Sequence, residues 1–239
     1  MYRKILLAIA VVGMMFCFAR PTVAAESALP TVGTMTFTKG VYCAGVVWFG
    51  SCMDSQETLD NGIAPKFQPF SKYTGGVLGR RVQLGTTQVY VVAPTDTYSQ
   101  GAVRLYDAKY KLLQTVKPFG VFVTTGFTGG VLSESFNKTA YLAVATKKVG
   151  YSVKVYKVGE TRLTAVANVA ASSATVKGTI IVKFLKLYTN QSALVTMLSG
   201  KPKTLKIWKY STTKKTFLQD TSAATRAKVI LKGDSITAK

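Results

Sequence analysis

Three times in this 239-residue chain, a cation and an aromatic residue sit two positions apart within a short apolar segment. The pairs are Arg104 and Tyr106 in AVRLYD, Lys154 and Tyr156 in SVKVYK, and Lys206 and Trp208 in TLKIWK, with the segments 50 and 52 residues apart. Side chains alternate along a strand, so each pair shares one face. Two chemistries suit such a face. One is a basic surface with aromatic platforms that holds a polyanion such as nucleic acid, an anionic wall polymer or a sulfated glycan. The other is internal packing, with the ring buried between sheets and the cationic head reaching out to water. Lys201, Lys203, Lys209, Lys214 and Lys215 add charge around the last copy. Residues 140–239 carry 18 Lys+Arg against Glu160, Asp220 and Asp234, so most of the positive charge belongs to the C-terminal half.

Other chemistry is thinly supplied. The chain has 31 Lys+Arg, 10 Asp+Glu and no histidine. It therefore lacks the commonest general base, the usual partner of Ser and Cys nucleophiles, and the commonest zinc ligand. No phosphate-binding loop, nucleophile elbow or zinc-spaced cysteine pair is present. No catalytic residue, cofactor or metal site is expected. At 48% hydrophobic the chain can still bury a core, which separates it from a disordered polycation.

Residues 1–25 have the form of a secretory signal peptide. Arg3 and Lys4 precede the apolar run Ile5 to Phe18, and Val23-Ala24-Ala25 offers a cleavage site before Glu26. The run is short of the ~20 apolar residues that a membrane anchor needs, the competing reading. Cleavage removes Arg3, Lys4 and Arg20 and no acid, which leaves a mature charge of +18. The mature chain keeps Cys43 and Cys52, which flank AGVVWFGS. After export to an oxidising compartment this pair is expected to form a disulfide, with two small buried thiols as the alternative.

The elements that must position these residues recur with them. About ten residues before each cation–aromatic segment lies an apolar strand: YVVAP at Tyr90, YLAVA at Tyr141, ALVTM at Ala193. KLLQTVKPF follows from Lys111 to Phe119, with APKFQPF (Ala64 to Phe70) as its counterpart. TGGVL occurs at Thr74 and again at Thr128, with KGTIIV at Lys177 and AKVIL at Ala227 as looser copies. Four short β-type segments therefore repeat about every 50 residues, punctuated by Gly, Pro, Asn and Ser. The pattern predicts an all-β chain, a β-propeller-like array of about four four-stranded repeats, as a ring or an open arc. A β-sandwich is the alternative. The units fall at 34–87, 88–138, 139–191 and 192–234 within a domain spanning 26–239. The tail Ser235 to Lys239 is expected to close a sheet begun by Thr34 to Val47, so that neither edge stays bare.

Val89 to Asp107 resembles the FG-GAP type of propeller repeat found in integrin heads and many exported bacterial proteins. Phe119-Gly120 supplies the Phe-Gly of that pattern, Val92-Ala93-Pro94 approximates its Gly-Ala-Pro, and Gly101-Ala102-Val103 supplies the strand that follows. The resemblance implies a propeller and speaks little to activity. Such repeats often carry an acidic calcium loop, but the matching positions here read LGTTQ, SFNKT and LYTNQS, without a carboxylate. Two of these loops fit the N-glycosylation pattern at Asn137 and Asn190. Asn also suits the left-handed turns expected there. Asp107 and Asp60 follow equivalent strands and are expected to open hairpin turns.

Taken together, the residues predict an exported, non-enzymatic binding or surface-associated module. Its basic half would contact an anionic polymer or a partner protein, and any nucleic-acid binding would be nonspecific. A structural subunit of an extracellular assembly is the second reading. A polysaccharide hydrolase or lyase is the third, and it would need an acidic cluster that the sequence does not show.

Overall fold

The computed structural model describes residues 30–38, 52–54, 69–70, 73, 75–97, 101–120, 126–134, 138–146, 151–173, 178–199, 203–233 and 235–239. The described chain is all-β, as the alternation predicts, and is built from four antiparallel sheets. In the first, β1 (Thr31–Thr38), β2 (Cys52–Asp54), β3 (Val77–Leu84), β4 (Thr87–Pro94), β5 (Val103–Asp107) and β6 (Leu112–Val116) lie in the order β2-β1-β3-β4-β5-β6. The second is a meander of β7 (Phe127–Glu134), β8 (Thr139–Thr146), β9 (Ser152–Val158) and β10 (Leu163–Ala170). A like meander forms the third, from β11 (Thr179–Leu185), β12 (Ala193–Ser199), β13 (Thr204–Ser211) and β14 (Thr216–Asp220). The short helix α1 (Ala223–Arg226) leads into a last hairpin of β15 (Val229–Lys232) and β16 (Ser235–Ala238). The helix is capped by Ser222, whose side chain accepts from the Thr225 N–H. No helix among the described residues is long and apolar enough to cross a membrane.

The recurring sequence segments are these strands, and each meander opens on the TGGVL-type segment. Those segments start β3 and β7, and their looser copies start β11 and β15. The first strands lie beside one another, β3 against β7 and β7 against β11. The sheets stack face to face. Val82, Val91 and Leu105 of the first sheet meet Leu142, Val144 and Tyr156 of the second in one core. The opposite face of the second sheet, with Tyr141, Val153 and Val155, meets Leu194, Trp208 and Phe217 of the third. Strand β8 lies in the middle of this stack. All eight of its residues are buried, which explains its unbroken run of small and apolar side chains (TAYLAVAT).

Two outer faces remain. On the first sheet, Tyr90, Val92 and Tyr106 are covered by Phe70 and Tyr73. On the third, Val195, Met197 and Ile207 are covered by Ile236 of β16 and Leu187. Closure of the array by the tail is not what forms. The tail strand β16 pairs with β15, while β1 pairs with β2 and β3. The register gives the reason. Lys232↔Ser235 leaves only two residues for the turn, so the tail folds back locally before it can reach the N-terminal segment.

The connections between first and second strands differ along the chain. Leu84 pairs with Thr87, so the first sheet uses a two-residue turn in which Gly85 adopts φ +61°, as a tight hairpin requires. Glu134 pairs with Thr139, which leaves residues 135–138 as the connection. Leu185 pairs with Ala193, and residues 186–192 form a longer loop. Gly126 marks a close approach between layers, since a Cβ there would lie 2.1 Å from the Thr95 backbone.

Candidate functional site

The three cation–aromatic pairs all face the layer that precedes them. Arg104, half-buried, donates to the Pro69 carbonyl at 2.5 Å and lies 4.9 Å from the Phe70 ring centroid. Tyr106, buried beside it, donates to the same carbonyl at 2.7 Å. Tyr156 is buried in the core between the first and second sheets, and its burial raises the phenol pKa. Lys154 shares its face and is half-buried. Trp208 is buried against the second sheet, where its indole N–H donates to Thr196 Oγ1 at 3.1 Å. Lys206 lies over the Trp208 ring and donates to the Ala170 carbonyl, at 2.8 Å, at the end of the preceding sheet. In the first and third sheets the cation therefore ties one layer to the backbone of the layer before it.

The other singled-out lysines lie elsewhere. Lys203 donates to the Gly233 carbonyl at 2.6 Å and links β13 to the β15–β16 turn. Lys214 and Lys215 are exposed in the turn after Ser211. Lys201 and Cys43 fall outside the described residues, as do Asn137 and the leader, and Cys52 is placed only as the first residue of β2. The expected disulfide thus also lies outside them. Asp107 does open its hairpin, accepting from the N–H groups of Lys109 and Lys111 at 2.8 and 2.9 Å.

Lys209 leads to an open groove of about 980 Å³ on the third sheet. Its walls come from the ends of β13 and β14, from the 186–192 loop, and from Lys228 just ahead of β15. Alternation builds this side. Leu205 and Ile207 point toward the last hairpin, and Lys209 continues their face, with its ammonium 4.8 Å from the Tyr188 ring centroid. The Tyr188 hydroxyl donates to Asp220 Oδ2 at 2.5 Å, which pins the loop to β14. Asp220 Oδ1 accepts from the Ser222 N–H at 2.8 Å. Lys228 donates to the Leu187 carbonyl at 3.1 Å, so the groove is fixed at both ends.

The hydrogen bond between Tyr188 and Asp220 draws their two titrations apart. Burial, followed by the bond to Asp220, pushes the Tyr188 phenol well above its usual range. The bond from Tyr188 is the main cause that holds the Asp220 carboxyl below its own. The two titrations are driven away from neutrality, opposite to what a general acid–base pair needs. Among the described residues no three His, Cys, Asp or Glu side chains gather to hold a metal.

Tyr188, Asp220 and Lys228 were not singled out from sequence. Their signal was the length of the first-to-second-strand connection, which grows from two residues to seven once the repeats are aligned. The chain matches no protein-family model, no curated protein and no solved structure.

Proposed function

We propose that this chain is an exported, non-enzymatic module of FG-GAP-like β-propeller type, with about four units, that binds anionic polymer through its C-terminal layer. The propeller reading is supported by two four-stranded meanders and the β3–β6 meander of the six-stranded first sheet, stacked face to face with β3, β7 and β11 adjacent. The β15–β16 hairpin then corresponds to a partial fourth blade.

The observation that carries the binding reading is the uneven cover of the third sheet. A full sheet covers the corresponding face of the first and second sheets, whereas among the described residues a two-stranded hairpin and Leu187 cover the third. The open side holds the groove and lies in the most basic part of the chain. Lys183, Lys186, Lys209, Lys214, Lys215 and Lys228 are all exposed, and Asp220 is half-buried with its carboxylate already bonded. A field of one sign over an open face attracts polyanions, and its strength falls with salt.

The test is binding of the full chain to duplex DNA and to heparin, two generic polyanions, across a salt series. The expected result is binding with a steep log–log salt slope, since the slope counts displaced counterions. Absence of binding near physiological salt would overturn this reading. A structural role in an assembly would then be read from the size of the particle in solution.

A further inference from the structure

The groove on the third sheet has a lining more specific than its charge. We infer that it is a saccharide site, built to take a short segment of an acidic glycan. The inference rests on the polyanion-binding reading and names the class of polymer.

The lining residues include Asn190, Gln191 and Gln219, whose side chains carry amides, and Thr189, Thr212 and Thr221, whose side chains carry hydroxyls. Amides and hydroxyls both donate and accept, which is what a ring of sugar hydroxyls needs from its partners. Lys209 and Lys228 supply positive charge at the same groove, matched to a carboxylate or sulfate on the sugar. The volume of about 980 Å³ is in the range of sites that enclose a ligand of a few rings.

The same lining argues against nucleic acid. Single-stranded nucleic acid binds on aromatic platforms that stack its bases. Here the Tyr188 ring lies under the Lys209 ammonium, and Tyr210 packs against Tyr141 and Phe217 at 5.4 Å from each. No arginine, whose planar fork suits phosphate, lines the groove.

The probe is a heparin hexasaccharide, compared with a duplex DNA oligomer by calorimetry on the full chain. Three proteins are used: the unaltered chain, Gln219→Ala with Lys209→Gln, and Lys214→Gln as a charge-matched control at the neighbouring turn. Gln219, Lys209 and Lys214 are exposed, so these variants are expected to fold, which circular dichroism checks. The expected result is a loss of hexasaccharide affinity of about tenfold or more in the groove variant, the scale of a lost charge-assisted contact. DNA binding should weaken equally in the groove variant and in the control. If the groove variant keeps hexasaccharide affinity, the site is overturned and the polyanion reading stands. If both ligands weaken in parallel in both variants, the groove is only charge, and the saccharide assignment fails. If the unaltered chain binds neither ligand, both readings fail together.

Discussion

The two outer faces of the stack are made from the same repeat and end differently. On the first sheet, Phe70 and Tyr73 lie over Tyr90, Val92 and Tyr106, and Arg104 and Tyr106 both donate to the Pro69 carbonyl. That end is packed shut. On the third sheet the described residues that cover the face are the β15–β16 hairpin and Leu187, and Leu218 on β14 remains 39% exposed. That end is an open, lysine-lined groove. Aligned positions make the contrast plain. Asp107 closes the β5–β6 turn on its own backbone, whereas its repeat counterpart Lys209 reaches over Tyr188 into the groove. A repeat fixes which side of a strand points to the next layer, and the size of that layer decides whether the face becomes core or site.

The largest effect expected from breaking this contrast is at the packed end. Phe70 is 1% exposed, so Phe70→Ala should cost about 3–5 kcal/mol in urea unfolding. Leu218→Ala at the open end should change stability by no more than about 0.5 kcal/mol. Equal losses at the two ends would remove the distinction. Arg104→Met comes next. It removes a hydrogen bond to Pro69 and a cation–π contact, so a loss of about 1–3 kcal/mol is expected, with faster amide exchange at Phe70 and Tyr73. Tyr188→Phe should cost about 1 kcal/mol, with faster exchange confined to the 186–192 loop.

The smallest effect is a pH dependence. Asp220 titrates below the ordinary carboxylate range because Tyr188 bonds its ionised form. Its contribution is therefore present at neutral pH and is lost as pH falls through the depressed pKa. Tyr188 titrates above the ordinary phenol range, so its contribution is present below that range and is lost as pH rises through the raised pKa. Exchange in the 186–192 loop should accelerate in acid and again in strong alkali. A Tyr188→Phe protein should lose the alkaline limb, and an unchanged limb would point to another group.

Much of the architecture was legible in the residues. YVVAP, YLAVA and ALVTM are β4, β8 and β12, and the three cation–aromatic segments are β5, β9 and β13, because a core position repeats wherever its strand repeats. The alternation that put Arg104 with Tyr106 also indicated a shared face, yet could not say whether that face was covered. The covering layers come from distant parts of the chain, such as Pro69 and Ala170. The fate of the tail was equally hidden, since both partners of Ser235–Ala238 would be plausible strands and only the turn length selects β15. The groove left the weakest trace, because Tyr188 and Asp220 meet across 32 residues from two different units.

In the first and third sheets the cation of the repeated pair ties one layer to the one before it, and the open face of the third sheet is the proposed binding surface. The most direct measurement is the salt slope for duplex DNA in two triple variants. One changes Arg104, Lys154 and Lys206 to Met, and the other changes Lys209, Lys215 and Lys228 to Gln. The first should be less stable and keep the slope of the unaltered chain. The second should stay folded and lower the slope by about 3, near one unit per displaced cation. A slope lowered by the first variant and untouched by the second would contradict the account.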